Sequence, residues 1–268
     1  MELRAVDPIG VYDSGVGGLS VLRALRAALP HESFVYVSDS RHAPYGDRPA
    51  GFVESRARDV AGFLVGQRIK ALVLACNTAS VLAAQVLRAA HALPIVAMEP
   101  AIKPAVRLSR SRVVLVLATT HTIRSDSIAR LCSDHGAHAR IVLQACPGLA
   151  DRVERGHLDH DDTRRLLEQC LRPGLACGAD VIVLGCTHYA FLAGEIARIA
   201  GRSVTVLEPS DAIARQLVRV LPPSARAPAS RTGDVVFHTS GSAQALKAFL
   251  SVIGHDATRV FATLGATE

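Results

Sequence analysis

The sequence predicts an α/β fold of two similar parallel-sheet domains that face each other in a pseudo-twofold arrangement. Three observations predict it. Short apolar runs alternate with runs of helical period along nearly the whole chain, the pattern of parallel strands joined by helices. A unit of buried strand, cysteine, polar residues and amphipathic helix occurs twice. Lys70–Ala90 and Asp180–Ala200 align without a gap at an offset of 110 residues, with 7 of 21 positions identical. Finally, Asp13, Cys76, Thr119 and Cys186 all fall at the expected carboxyl ends of strands, where parallel sheets place ligands.

In chain order, Ile9–Tyr12 is a short apolar strand running into Asp13-Ser14-Gly15-Val16-Gly17-Gly18. Leu19, Leu22, Leu25 and Leu29 then recur at helical spacing. The glycines would let backbone amides and a helix N-terminus approach an anion. The spacing is neither Gly-x-Gly-x-x-Gly nor a Walker loop, which disfavours a dinucleotide or a triphosphate. Ser33–Val37 is the next strand, and residues 39–49 form a Pro- and Gly-bearing loop. Residues 51–66 read as a helix, the first Cys unit follows, and Pro94–Ala97 is a short strand. Met98–Pro104 reads as a crossover into a second series. There Val113–Leu117 is a strand, 124–134 a helix, Ile141–Leu143 a strand and Asp161–Leu171 a helix. The second Cys unit and a strand at Ser203–Leu207 end that series. A helix carrying Ile213, Leu217 and Val220, a solvated loop over 222–233, a strand at Val235–His238 and a helix at Ala243–Ile253 complete the chain.

Composition narrows the class. The chain has 268 residues, 49% apolar and 20% charged, enough for a substantial core in one or two domains. Its net charge is +6, but the arginines are scattered over helix faces and aromatics are only 4%, which argues against nucleic acid. No apolar run has the length of a membrane span, and Met1–Pro8 lacks the apolar core of a signal peptide, so the expectation is a cytoplasmic protein off the membrane. Six cysteines in that setting are expected to be reduced. No Cys-x-x-Cys pair suggests a metal ribbon or a thioredoxin-type site. Cys132, Cys170 and Cys177 lie in or near helical patterns as small buried hydrophobes.

The duplicated cysteine is the chemical signal. Two thiols on opposite faces of one substrate suit stereoinversion: one, as thiolate, removes a proton from carbon, and the other delivers one to the opposite face. Ser14, Asn77, Thr78, Thr187 and backbone amides are donors suited to the developing carbanion. Each residue taken singly has a plainer reading. Asp13-Ser14 and Asn77-Thr78 serve equally well as helix caps, and Thr119 and Thr122 as a strand end and a cap. Tyr45 could cover its loop. His188 could be a surface histidine, and Glu154 a solvated carboxylate on an exposed stretch.

Four motifs together carry a resemblance. Asp13-Ser14-Gly15-Val16-Gly17-Gly18-Leu19, Pro44-Tyr45-Gly46, Ala75-Cys76-Asn77-Thr78-Ala79 and Gly185-Cys186-Thr187-His188-Tyr189 stand in the order and spacing of the glutamate racemase family. The resemblance covers nearly the whole chain. It implies cofactor-independent, metal-free racemisation of L- and D-glutamate, which supplies D-glutamate for peptidoglycan. It implies a first domain of residues 1–97 plus 208–268, a second of 98–207, and substrate in the cleft between them. Cys76 and Cys186 would be the two bases, with Asp13 assisting the first and His188 the second; Glu154 matches a family glutamate near the site. Ser14, Pro44, Tyr45, Gly46, Asn77, Thr78, Thr119, Thr122 and Thr187 would hold the amino acid. A homodimer is implied, and DNA gyrase is admitted as a secondary partner.

The chain departs from the family pattern at two places. Ala190 replaces a proline after Tyr189, which restores an N–H at the start of the following helix. Gly148-Leu149-Ala150 is less bulky than usual, which bears on pocket shape. The competing readings are a racemase of aspartate or another amino acid in the same superfamily, and a non-catalytic anion-binding or protein-partner role. His188 weighs against aspartate, because those relatives tend to carry glutamate there.

Overall fold

The computed structural model describes residues 4–255, 257 and 259–264. The start of the Met1–Pro8 segment and residues 265–268 of the expected first domain lie outside the described residues. The chain forms two sheets in which every strand pairing is parallel. The first sheet takes β1 (Ile9–Asp13), β2 (Phe34–Ser38), β3 (Ala71–Leu74) and β4 (Ile95–Ala97), with β9 (Val235–Thr239) and β10 (Val260–Ala262) from the end of the chain. The second takes β5 (Val113–Ala118), β6 (Arg140–Ala145), β7 (Val181–Gly185) and β8 (Thr205–Leu207). The duplication is visible in strand order. The first sheet runs β10-β9-β2-β1-β3-β4 and the second β6-β5-β7-β8, so four strands repeat the same order and β3 corresponds to β7.

The central strands explain their own sequences. Ile-Gly-Val-Tyr-Asp, Ala-Leu-Val-Leu and Val-Ile-Val-Leu-Gly are buried throughout, as strands covered on both faces must be. The helix α1 (Leu19–Ala28) buries Leu19, Leu22 and Leu25 and packs on α10 (Ser210–Val220). The helix α2 (Ala50–Gly66) packs on α3 (Asn77–Ala90). One apolar cluster joins Leu19, Leu22 and Val73 of the first half to Leu115, Leu184 and Leu192 of the second, so the two sheets share a core. All six cysteines are free thiols; Cys170 is buried as expected, and Cys132 and Cys177 are only half-buried.

Several expected elements need correction. The crossover after β4 contains a helix, α4 (Ile102–Leu108). The helix expected over 124–134 is α6 (Asp126–His135), but a further short helix, α5 (Thr120–Ile123), precedes it. The break between the two arises because the Ser125 hydroxyl accepts from Ile128 N at 3.2 Å and starts a new helix. A short helix, α7 (Leu149–Glu154), occupies the stretch read as exposed. The helix α8 (Asp161–Ala176) continues through Pro173, past the expected stop at Leu171. Gly174 lets it lie against β5, since a Cβ there would sit 2.7 Å from the Leu115 side chain. The second Cys unit also departs from the first. Cys76 leads directly into α3, whereas a 3-10 turn over Thr187–Leu192 intervenes before α9 (Ala193–Ala200). Ala190 lies inside that turn, so the missing proline does not mark a helix start. Among the described residues, no helix is long and apolar enough to cross a membrane.

Candidate active site

The carboxyl ends of β1, β3, β5 and β7 converge, and each brings one or more of the singled-out residues. At the end of β1, Asp13 is fully buried. Its Oδ1 accepts from Gly15 N at 2.7 Å, which turns the chain back into α1. Its Oδ2 accepts from the Thr187 hydroxyl of the other sheet at 3.0 Å. At the end of β3, Cys76 caps α3 through its sulfur, which accepts from Ala79 N at 3.5 Å. The same thiol donates to the Ser14 hydroxyl at 3.5 Å.

Cys186 ends β7. Its sulfur lies 3.7 Å from His188 Nδ1. The other ring nitrogen, Nε2, lies 2.5 Å from Glu154 Oε1. That carboxylate oxygen also accepts from Val16 N at 2.8 Å, across the boundary between the sheets. Glu154 is therefore not the solvated side chain its sequence context suggested. It ends α7 and joins the histidine behind Cys186 to the glycine turn beside Cys76.

The glycine turn is built for this contact rather than for a phosphate. A Cβ on Gly15 would fall 1.7 Å from Glu154 Oε1, and one on Gly17 would fall 2.5 Å from both His188 Nδ1 and Thr187 Oγ1. The glycines thus admit side chains of the second sheet. The Tyr36 hydroxyl, unremarked in the sequence, pins the turn by donating to Gly15 O at 2.7 Å.

A second cluster lies beside the first. The Thr78 and Thr119 hydroxyls meet at 2.9 Å across the cleft, and Thr119 donates to Thr122 Oγ1 at 3.0 Å. Gly46 packs on Thr119, where an added Cβ would approach to 3.0 Å. Pro44, Gly46, Thr119, Gly148, Ala150 and Tyr189 line a small adjoining cavity. The less bulky Gly148-Leu149-Ala150 segment thus bears on pocket shape through Gly148 and Ala150, while Leu149 is in the core. Gly148 also has φ of 78°, a left-handed conformation that favours glycine. Asn77 is 2% exposed, and neither its amide nitrogen nor its oxygen has a protein partner, so a polar ligand would satisfy both. Tyr45 differs from expectation in one respect: its hydroxyl points away from this cavity, to Asp39. Among the described residues, no three His, Cys, Asp or Glu side chains converge as they would around a metal ion.

Burial and neighbouring charge set the protonation states. Burial pushes the Asp13 carboxyl up to about 6, against the opposing pull of His188 and the Gly15 N–H. Burial, with the charge of Asp13, pushes the Cys76 thiol up to about 12. Burial opposes the imidazolium form of His188, but Cys186 and Glu154 outweigh it and raise that ring well above its ordinary range. A charged carboxylate at Asp13 is consequently held at a cost to folding. Between the ordinary value of 3.8 and about 6 the folded chain keeps a proton that the unfolded chain has lost. The favourable contribution of Asp13 is full below that window and gone above it. Asp13→Asn should therefore stabilise the protein by on the order of 1–3 kcal/mol at about pH 7.5 and not at about pH 4, while slowing turnover. Thermal melts at the two pH values check this; an equal difference at both would contradict it.

Comparison with known proteins returns a consistent answer. The family model for Asp/Glu/hydantoin racemases matches residues 18–217. The glutamate racemase of Methylococcus capsulatus is 51% identical over 214 residues, 80% of this chain and 79% of that protein. The crystal structure of a glutamate racemase isoform from Bacillus anthracis superposes with a TM-score of 0.86 at 28% identity, covering 97% of this chain and 98% of that one. The Escherichia coli glutamate racemase, solved with L-glutamate and an activator, superposes with a TM-score of 0.82 at 29% identity, covering 97% and 99%.

Proposed function

The chain belongs to the Asp/Glu/hydantoin racemase family, and on that premise we propose that it interconverts L- and D-glutamate in the cytoplasm by a two-thiol mechanism without a cofactor, supplying D-glutamate for peptidoglycan. The observation that carries the mechanism is the pair of cysteines ending corresponding strands, β3 and β7, of two sheets with the same strand order. Both are nearly buried, and Cys186 is close enough for its charge to act on the Cys76 thiol.

Cys76 or Cys186, as thiolate, takes the α-proton of one enantiomer, and the other, as thiol, gives a proton to the opposite face. Each turnover leaves the two sulfurs with exchanged protonation, ready for the reverse substrate. Burial and Asp13 hold Cys76 as a thiol. The α-ammonium of a bound amino acid would offset the Asp13 charge and ease loss of that proton. His188, backed by Glu154, is placed to exchange a proton with Cys186. Asn77, Thr78 and Thr187 supply donors for the carboxylate onto which the carbanion's charge spreads. Ser14, Gly46, Thr119 and Thr122 complete the cradle.

The same reading takes residues 1–97 with 208–268 as one domain and 98–207 as the other. It takes a homodimer as the working assembly, with DNA gyrase as a secondary partner. In heavy water the enzyme alone should wash deuterium into the α-position of either enantiomer and bring the optical rotation of L-glutamate to zero. No α-exchange with any acidic amino acid would refute it.

A further inference from the structure

One buried network stands outside the residues so far given a role. Asp39 follows β2, is fully buried, and its backbone N–H donates to Asp13 O at 3.0 Å. Arg56 of α2 grips its carboxylate with two bonds, Nε to Oδ2 at 2.9 Å and Nη2 to Oδ1 at 3.0 Å. His42 Nδ1 lies 3.0 Å from Oδ1. The Tyr45 hydroxyl donates to Oδ2 at 2.5 Å and accepts from the Tyr12 hydroxyl at 2.8 Å. Tyr45 is 1% exposed, so its ring is committed to this network and leaves only backbone to face the cleft. The backbone concerned is a single 3-10 turn, Tyr45–Asp47, whose leading N–H groups have no partner within the turn. Gly46 in that turn packs directly on Thr119 of the opposite sheet.

We propose that Asp39, clamped by Arg56, is a positioning residue for the reaction: it holds the Tyr45 hydroxyl and thereby fixes the Pro44-Tyr45-Gly46 turn that closes one end of the substrate cleft. This rests on the reading that glutamate lies between the sheets. A short turn without regular backbone pairing needs such an anchor, because a shift of about 1 Å in a positioning group can cost about 10²-fold. The acceptor is charged at neutral pH. Burial opposes the charge, but Arg56, Tyr45 and His42 among its neighbours bring the Asp39 carboxyl down to about 2. Charge-assisted bonds of this kind are about twice as strong as neutral ones.

The turn packs on Thr119, and on this proposal the end of the substrate remote from the reacting carbon lies against it. Contacts made equally in ground and transition states act on KM and spare kcat. The test is steady-state kinetics with both enantiomers for Tyr45→Phe, Asp39→Asn and the double variant. Each single variant should raise KM by about tenfold and lower kcat by less than about threefold, and the double variant should be no worse than the poorer single one. KM within about twofold of the parent, a loss confined to kcat, or effects that multiply in the double variant would each overturn the inference. Tyr45→Phe keeps the ring and decides the matter alone if Asp39→Asn does not fold. A parent enzyme that exchanges no α-proton with glutamate would instead refute the proposed function, and that is measured first.

Discussion

Cys76→Ala and Cys186→Ala each lower glutamate racemisation by at least about 10²–10⁴-fold, in both directions. On the proposed two-thiol mechanism inversion uses both sulfurs whichever enantiomer enters, so neither direction is spared. The substitutions remove little else. The Cys76 sulfur makes one long capping contact and one long bond to Ser14, so α3 should lose only about 1 kcal/mol. Melting curves alongside the kinetics keep inactivation distinct from unfolding. Isotope exchange gives the sharper readout. A variant with one thiol can still take the α-proton from one enantiomer and return a deuteron to the same face. Each variant should therefore exchange one enantiomer slowly without inverting it, and the two variants should select opposite enantiomers. A variant that racemises near the parental rate, or two that exchange the same enantiomer, would show that the sulfurs do not face each other across the substrate.

Gly15→Ala should reduce turnover by about 10²-fold while lowering stability by no more than about 1–3 kcal/mol. The new Cβ would sit 1.7 Å from Glu154 Oε1, so the carboxylate must leave. It is the end of a flexible side chain and can swing away at small cost to the core. Its departure strips His188 of a partner now at 2.5 Å and Val16 N of one at 2.8 Å. His188, the proposed acid–base group behind Cys186, then loses its fixed orientation, and the sheets lose one hydrogen bond between them. Kinetics paired with thermal melts separate this from a folding defect. Full activity in Gly15→Ala would mean that the Glu154 contact is not part of the working geometry.

Much of the architecture can be read from local pattern. The continuous apolar runs at Val181–Gly185 and Ala71–Leu74 read as strands covered on both faces, and the recurrence of cysteine after each pointed to the candidate site. Short elements could not be read this way. Leu149–Glu154 spans too few residues to show a period, and so Glu154 looked solvated. The 3-10 turn after Cys186 is invisible to a reading that matches it to the helix after Cys76. Pairings such as Val16 with Glu154, 138 positions apart, or Asp13 with Thr187, 174 apart, leave no local mark on composition. The glycine turn was noticed for the right reason, close approach, but the approaching group is another part of the chain. Asp39 shows the same limit. Nothing in Asp39-Ser40-Arg41-His42 points to Arg56 or Tyr45 until the fold brings them together.

The two cysteines begin different structures: Cys76 caps a full helix, while Cys186 opens a 3-10 turn and leans on a histidine. One might expect such an enzyme to favour one hand of its substrate. Equilibrium forbids it. Mirror-image amino acids have equal free energies in water and pass through a common transition state, so kcat/KM is the same for both, in the parent and in every variant. The unlike settings of the sulfurs can therefore appear only in how kcat and KM divide that fixed ratio. The division reflects which protonation form of the resting enzyme predominates, and hence which enantiomer saturates it first.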